Sequence, residues 1–202
     1  MIVWRHGVTA HNASGVYQGH LDTELTDRGH RQAAAAAAVL AGRRPSRVVC
    51  SDLRRAAQTA AALSRACGVE VAYDPRLREI DVGTWGGLGH EEVRERYPRE
   101  VAAMAQGEDV RRGEHGEDGA AVGERTRAAV DEALETLEGN GDVLVVATHG
   151  MAARALVGSL LQWRWPGDWA QIEGLGNAHW AEVVRSERGW MLHAWNASAP
   201  TD

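Results

Sequence analysis

Lysine and phenylalanine are absent from the 202-residue chain, so all 22 of its basic residues are arginines. The lack of lysine excludes Schiff-base chemistry and a Walker-type phosphate loop, both of which need a lysine amine. Arginine, histidine and backbone amides are therefore the groups left for holding an anion. The formal net charge of −6 indicates no basic surface for nucleic acid or for an anionic membrane, and we expect neither as a partner.

Cysteine and long apolar runs are also scarce. Cys50 and Cys67 are too few for a disulfide framework, and the expected interpretation is reduced thiols in a cytoplasmic protein. The apolar stretches are far shorter than a bilayer span, and the N-terminus has no signal-peptide pattern. Neither a repeat nor a convincing linker divides the chain, so we predict a single domain over residues 1–202.

Short apolar segments alternate with helical patterns along the chain. Strands are predicted at 2–5, 47–51, 69–73 and within 142–150, and the end of the chain reads as a hairpin. Helices are expected to begin at Thr26, after Asp52 as an N-cap, at residue 89 and after Asp118. Residues 6–25 and 76–88 are predicted as loops. The alternation predicts an α/β fold, with a mostly parallel central sheet in a three-layer α/β/α arrangement.

Two of the predicted strands end in a histidine that precedes a glycine. His6 follows the first strand and is preceded by Arg5, and His149 follows the last of the four strands. Ligands of parallel sheets bind at the carboxyl ends of the strands, so both imidazoles reach the same point if the two strands are neighbours. Arg54 and Arg55 open the helix after the second strand, where backbone amides also attract an anion.

Guanidinium and imidazole groups around one point are typical of a phosphoryl site, because clamping the phosphoryl oxygens is most of what phosphoryl transfer requires. Neither an HExxH pattern nor carboxylates spaced for Mg²⁺ are present in the sequence, so we expect no metal and no other cofactor. A histidine can itself be the nucleophile and form a phosphohistidine. As proton donor the sequence favours Glu79 in "LREID", with Asp81 as the competing carboxylate.

Five motifs in order resemble the histidine phosphatase superfamily, which has the phosphoglycerate mutase-like fold: "RHGVTAHN", "GHLDTELTDRG", "SDLRRAAQTA", "LREIDVGTWGG" and "ATHG". The resemblance covers nearly the whole chain and implies that His6 is the phosphorylated nucleophile. It implies that Glu79 protonates the departing oxygen and then deprotonates the water that releases phosphate. The groups implied to hold the phosphoryl group are Arg5, Arg55 and His149, helped by Asn12 and the Gly150 amide.

The segments "YQGHLDTELTDRG" and "GLGNAHWAEV" are similar to bacterial glucosyl-3-phosphoglycerate phosphatases, a group within that superfamily. That similarity implies substrate contacts by Gln18 and Thr23, and it leaves Trp85, Trp163 or Trp180 open as a platform for a sugar. The expected function is metal-independent hydrolysis, through a phosphohistidine, of a small sugar- or glycerate-type phosphate such as glucosyl-3-phosphoglycerate.

Three alternatives stay open at this point. The first is a cofactor-dependent phosphoglycerate mutase, which a short chain without lysine disfavours, and the second is another broad-specificity or alpha-ribazole-type phosphatase. The third is a catalytically inactive binding module, which the presence of both His6 and Glu79 disfavours. A homodimer is compatible with the sequence without being required. The first strand is short for the family, which is compatible with a clipped start of the sequence.

Overall fold

A computed structural model describes residues 1–139, 141–164, 168 and 172–200 of the chain. Short turns of 3-10 helix lie at Pro75–Leu77 and Gly83–Trp85. The strands and α-helices, in chain order, are β1 (Ile2–Arg5), α1 (Ala10–Ser14), α2 (Asp27–Ala41), β2 (Arg47–Cys50), α3 (Arg54–Cys67), β3 (Val71–Tyr73), α4 (His90–Arg96), α5 (Pro98–Ala105), α6 (Gly119–Glu135), β4 (Leu144–Thr148), α7 (Gly150–Leu160), β5 (Trp180–Ser186) and β6 (Gly189–Ala197).

The six strands form one sheet in the order β3-β2-β4-β1-β5-β6. The first four strands in that order pair in parallel, and β5 and β6 add an antiparallel hairpin beside β1. The register between β1 and β4 pairs Arg5 with Thr148. His6 and His149, each the next residue along its chain, therefore leave the sheet side by side. The prediction of a mostly parallel sheet is confirmed.

The sheet separates two apolar cores, because successive side chains of a strand point to opposite faces. In β1, Ile2 and Trp4 share a core with the buried faces of α2 and α3. Val3 lies in the other core, with the buried faces of α6 and α7. Strand β4 is buried over its whole length, as a central parallel strand covered on both sides should be. This is the three-layer α/β/α arrangement that the sequence predicts.

The helix starts show how the sequence sets the local structure. The hydroxyl of Thr26 accepts a hydrogen bond from the Gly29 amide and caps α2 at the predicted residue. Asp118 caps α6 in the same way by accepting from the Ala121 amide. No helix in the described part of the chain is long and apolar enough to cross a membrane.

Two expectations about local structure at the loops are wrong. Residues 6–25 are not loop throughout, because Thr9 accepts a hydrogen bond from the Asn12 amide and caps the short helix α1. Asp52 does not cap α3, whose N-cap is Leu53 without a side-chain hydrogen bond. The Asp52 carboxylate instead accepts a hydrogen bond from Nε of Arg78 at 2.7 Å. The carboxylate is therefore engaged in an ion pair and not in capping the helix.

Two element boundaries also differ from the prediction. The strand expected at 69–73 begins only at Val71, at the edge of the sheet beside β2. The helix expected over 89–106 is interrupted at Tyr97, which separates α4 from α5. Pro98 explains the break, because proline disfavours a helical conformation in the residue before it.

Candidate active site

A cavity of about 170 Å³ opens where β1 ends, and most of the predicted site residues line it. A larger cavity of about 500 Å³ between α6 and α7 contains none of them. The predicted residues that line the smaller cavity are Arg5, His6, Asn12, Gln18, Arg55 and Glu79. Residues distant in sequence therefore converge on one point, and the remaining three, Thr23, His149 and Gly150, lie behind this lining.

His6 presents one particular ring nitrogen for chemistry. Its Nδ1 lies 2.6 Å from the carbonyl oxygen of Gly7, and because a carbonyl only accepts, Nδ1 carries the proton. The lone pair of the ring is therefore on Nε2. The ring is buried, and burial, Arg55 and Arg5 together hold the pKa of His6 well below its usual value. His6 is thus a neutral imidazole, the form that can act as a nucleophile.

His149 lies against His6, with the ring centroids 5.1 Å apart and an edge-to-face arrangement. Nε of Arg55 donates to Nδ1 of His149 at 3.1 Å, so Nδ1 is an acceptor and Nε2 donates to the hydroxyl of Ser51 at 2.8 Å. Burial and then the charge of Arg55 hold the pKa of His149 well below its usual value. Ser51, at the end of β2, thereby orients the second imidazole.

Arg5 is held from two sides, and its guanidinium keeps donors for an anion. Its Nη1 donates to the carbonyl oxygen of Leu175 at 2.5 Å, whereas its buried Nε has no partner among the described residues. Gly150 packs directly on this guanidinium, since a Cβ at that position would lie 3.4 Å from Nε. Burial lowers the pKa of Arg5, while the nearby Glu79 carboxylate opposes that shift.

Arg55 is fully buried and holds the loop between α1 and α2. Nη1 donates to the carbonyl oxygen of Leu21 at 2.7 Å and Nη2 to that of Gly19 at 2.8 Å. Burial lowers its pKa to about 10, so the guanidinium stays charged at neutral pH. Its neighbour Arg54 turns away and pairs with the exposed carboxylate of Asp22 at 3.0 Å. Only one of the two adjacent arginines therefore serves the cavity.

Two amide side chains line the cavity with their NH₂ groups free to donate. Hydroxyls of Thr9 and Thr23 lie 2.9 Å and 2.6 Å from Oε1 of Gln18. Oδ1 of Asn12 accepts from Nδ2 of Asn177 at 3.1 Å and from the Thr9 amide at 3.2 Å. Because both amide oxygens are occupied, Nε2 of Gln18 and Nδ2 of Asn12 are the groups left for a ligand. Thr23 lies behind Gln18, so any effect on substrate would pass through that residue.

Glu79, rather than Asp81, faces the cavity. Its carboxylate accepts from the amides of Ala152 at 2.9 Å and Met151 at 3.2 Å, which are orphan donors at the start of α7. Asp81 is not part of the cavity lining, and its Oδ1 accepts from the Gly83 amide at 2.9 Å. The two carboxylates that the sequence left open therefore occupy different places.

One wall of the cavity is mostly apolar and was missed from the sequence. Tyr17 and His90 stack edge to face there, with the ring centroids 4.8 Å apart. The other members of this wall are Val16, Ile80, Val82 and Met151.

The tryptophans offered as a sugar platform lie elsewhere. Trp85 and Trp180 are core residues with 0% and 3% of their surface exposed, so neither has a free face for a sugar. Trp163 lines the larger cavity between α6 and α7, away from the catalytic candidates.

Comparison with known proteins places this arrangement in a family. The sequence model of the histidine phosphatase superfamily, branch 1, matches residues 1–198. A glucosyl-3-phosphoglycerate phosphatase of Mycolicibacterium vanbaalenii is 39% identical over 217 residues, which cover 98% of this chain and 95% of the relative. A protein of Yersinia enterocolitica named probable phosphoglycerate mutase GpmB is 35% identical, over 95% of this chain and 87% of that protein.

A solved structure agrees with the sequence relatives. Mycobacterial glucosyl-3-phosphoglycerate phosphatase in complex with VO3 superposes with a TM-score of 0.90 and 35% identity, over 98% of this chain and 99% of that one. The resemblance predicted from five short motifs is confirmed by these matches. The chain belongs to the histidine phosphatase superfamily.

Proposed function

We propose that the protein is a phosphatase that hydrolyses a phosphate monoester through a phosphohistidine on His6, without a metal or other cofactor. The observation that carries the proposal is the Nδ1 contact of His6 with the Gly7 carbonyl, which leaves the lone pair on Nε2. That histidine shares one cavity with the guanidinium groups of Arg5 and Arg55 and with the Glu79 carboxyl.

The first step transfers the phosphoryl group to the protein. Nε2 of His6 forms a bond to phosphorus while the bond from phosphorus to the ester oxygen breaks. The protonated carboxyl of Glu79 gives its proton to that oxygen, which leaves as an alcohol. Arg5 and Arg55 stabilise the negative charge on the transferring oxygens, which is the electrostatic part of catalysis.

The second step releases inorganic phosphate. The Glu79 carboxylate takes a proton from water, the water oxygen bonds to phosphorus, and the bond from Nε2 of His6 to phosphorus breaks. His149 stays a neutral imidazole whose Nδ1 accepts from Arg55 and whose Nε2 donates to Ser51, so it holds the Arg55 guanidinium in place for the phosphoryl group.

For the substrate we propose glucosyl-3-phosphoglycerate. The support for this choice is that two of the relatives named above are phosphatases of that compound. The phosphate would lie among the arginines, and the alcohol part would contact the wall that contains Tyr17 and His90. Among the residues of that wall, His90 is the one that can carry positive charge, and a glycerate ester carries a carboxylate. His90 lines the cavity and is exposed, so we propose that it contacts that carboxylate.

The main competing function is isomerisation of phosphoglycerate, because a relative named as a probable mutase is 35% identical. Hydrolysis is the better-supported reaction, because the relative that is 39% identical over 98% of this chain is named a phosphatase.

A panel of phosphorylated compounds tests the proposal. Phosphate release is measured as kcat/KM for glucosyl-3-phosphoglycerate, 3-phosphoglycerate, sugar phosphates, nucleotides and cofactor precursors, with the His6→Ala variant as the blank. The proposal expects glucosyl-3-phosphoglycerate to have the highest kcat/KM. Formation of 2-phosphoglycerate from 3-phosphoglycerate and a bisphosphoglycerate primer, without free phosphate, would show a mutase instead.

We also propose that residues 1–202 form one domain that acts in the cytoplasm. Support for the first point is that strands from both ends of the chain, β1 and β5, pair in the same sheet. Support for the second is that Cys50 and Cys67 are both free thiols. A homodimer is compatible with a single domain and with the cytoplasm. Sedimentation of the purified protein measures its oligomeric state.

A further inference from the structure

We propose that Arg125, on α6 and outside the cavity, is the positioning residue for the Glu79 carboxyl. The proposal rests on the function proposed above, because it concerns the same proton donor. Arg125 is not part of the cavity lining, so it would act through the backbone that carries Glu79 and not on the substrate.

Every N–H group of the Arg125 guanidinium has an acceptor. Nη1 donates to the carbonyl oxygens of Arg76 and Arg78, both at 2.7 Å, and Nη2 donates to that of Glu79 at 2.9 Å. The remaining donors go to Glu117, with Nη2 at 2.7 Å from Oε2 and Nε at 2.7 Å from Oε1. Five donors and five acceptors make this a complete match to the planar fork of arginine.

Glu117 extends the grip to the other side of Glu79. Its Oε2 accepts from the Asp81 amide at 2.9 Å, and its own amide donates to the Asp81 carbonyl oxygen at 2.8 Å. The ion pair of Arg125 and Glu117 therefore holds the backbone on both sides of the proposed acid. The segment from Arg78 to Val82 has no helix or strand of its own that would fix it.

Geometry explains why this grip should affect proton transfer in particular. A general acid must lie within hydrogen-bond distance of the leaving oxygen, and a displacement of about 1 Å can cost about 10²-fold in rate. Arg5 lies in β1, His6 directly follows it and Arg55 lies in α3, so none of the three belongs to this segment. Loosening the backbone at Glu79 should therefore weaken protonation of the leaving group and leave attack at phosphorus largely intact.

The test uses Arg125→Lys, which keeps the charge but loses the planar fork. Turnover is measured with p-nitrophenyl phosphate, whose departing oxygen needs little protonation, and with 2-glycerophosphate, whose alcohol needs it. We expect kcat/KM on 2-glycerophosphate to fall by about 30-fold and kcat/KM on p-nitrophenyl phosphate to change by less than about 3-fold, because kcat/KM covers only the steps up to the phosphohistidine and not the later attack of water. Equal losses on both substrates would overturn the positioning role.

Arg127→Lys is the matched control on the same helix. Nε of Arg127 donates to the Asp131 carboxylate at 2.7 Å, one turn along α6, so this substitution also loosens an ion pair. The Arg127→Lys variant should hydrolyse both substrates as fast as the parent protein does. If Arg125→Lys does not fold, Glu117→Gln removes the charge of the partner and keeps its shape. It should give the same selective loss to a smaller extent, and an unselective loss there would count against the proposal.

A double substitution separates this proposal from the proposed function. In a Glu79→Gln background the acid is already gone, so adding Arg125→Lys should cause no further loss on 2-glycerophosphate. A further loss of about 30-fold in that background would show that Arg125 acts elsewhere. If Glu79→Gln alone lowers activity equally on 2-glycerophosphate and on p-nitrophenyl phosphate, Glu79 is not the proton donor. In that case the proposed function fails at the assignment of the acid, whatever Arg125 does.

Discussion

Gly7 and Gly29 meet backbone against backbone at the start of α2. A Cβ on Gly7 would collide with the carbonyl oxygen of Gly29, and a Cβ on Gly29 would collide with that of Val8. On its other side the Gly7 amide donates to the hydroxyl of Thr59 at 3.1 Å. Gly7 is thus confined between α2 and α3, and its carbonyl oxygen is the acceptor that fixes the His6 ring.

Gly7→Ala should therefore destabilise the protein and misplace the nucleophile. Overpacking of this kind costs about 3 kcal/mol in free energy of unfolding, because backbone atoms on both sides must shift. Urea unfolding measures the loss. Gly174→Ala is the control, since a Cβ there meets nothing within 4 Å. A Gly7→Ala variant as stable and active as the parent would show that the turn is more adaptable than this contact indicates.

His6→Ala should abolish turnover while the fold persists. Loss of a nucleophile typically lowers kcat by about 10⁴-fold or more, because the group that forms the covalent bond to phosphorus in the proposed mechanism is gone. A stopped reaction quenched in alkali should show phosphate bound to His6 in the parent protein and none in the variant. Unfolding by urea at the parental midpoint confirms that the fold is kept. A variant with unchanged kcat would remove His6 from the reaction.

Some parts of this site can be predicted from the sequence alone, and others cannot. His6 and His149 were predicted together because each follows an apolar strand and precedes a glycine, and a parallel register then brings them side by side. The capping of α2 by Thr26 is equally local, since one side chain and one amide three residues on decide it. Such features depend on neighbours in the sequence and can be deduced from it.

Other contacts depend on long-range packing that no local pattern encodes. Asn177 holds Asn12 across 165 residues of chain, and Ser51 holds His149 across 98. Asp52 is a good N-cap residue by propensity, but Arg78, brought in by the fold, takes its carboxylate. Eight tryptophans without a phenylalanine indicate that the core uses some of them, but not which ones, and Trp85 is one that is fully buried.

Glu79→Gln should discriminate between leaving groups. The variant cannot give a proton to the departing oxygen, so an alkyl phosphate should lose about 10²–10⁴-fold in rate, whereas p-nitrophenyl phosphate should lose much less. The comparison of kcat/KM for the two substrates measures this, because kcat/KM does not include the later step in which Glu79 takes a proton from water. Asp81→Asn is the control, because the Asp81 carboxylate accepts from the Gly83 amide and does not line the cavity. It should show no such selectivity. A selective loss at Asp81 instead would reverse the assignment.

Activity should persist in EDTA. The charge of the phosphoryl oxygens is balanced by the guanidinium groups of Arg5 and Arg55, which do the work that a divalent cation does in metal-dependent phosphatases. Phosphate release before and after dialysis against EDTA measures this. Restoration of a lost activity by a divalent ion alone would reveal a metal requirement that the arginines do not replace.

Acidification should destabilise the protein through its two buried imidazoles. Burial, followed by the charge of Arg55, holds the pKa of both His6 and His149 well below the ordinary value of 6.5. In the unfolded chain both regain that ordinary value. Below about pH 6.5 the unfolded chain therefore binds protons that the folded protein does not, so the free energy of unfolding falls as the pH falls toward the lowered pKa values.

Between pH 7 and pH 5.5 this linkage should lower the free energy of unfolding by about 2.5 kcal/mol when both rings stay neutral in the folded protein. The paired carboxylates of Asp52, Asp74 and Glu117, whose pKa values are lowered, contribute stability that is lost only at more acid pH, below about 4.5. Urea unfolding at the two pH values measures the drop. His149→Gln should halve it, because one of the two groups is gone, whereas His30→Gln, at an exposed position on α2, should leave it unchanged. An equal drop in all three proteins would show that the buried imidazoles do not control the acid sensitivity.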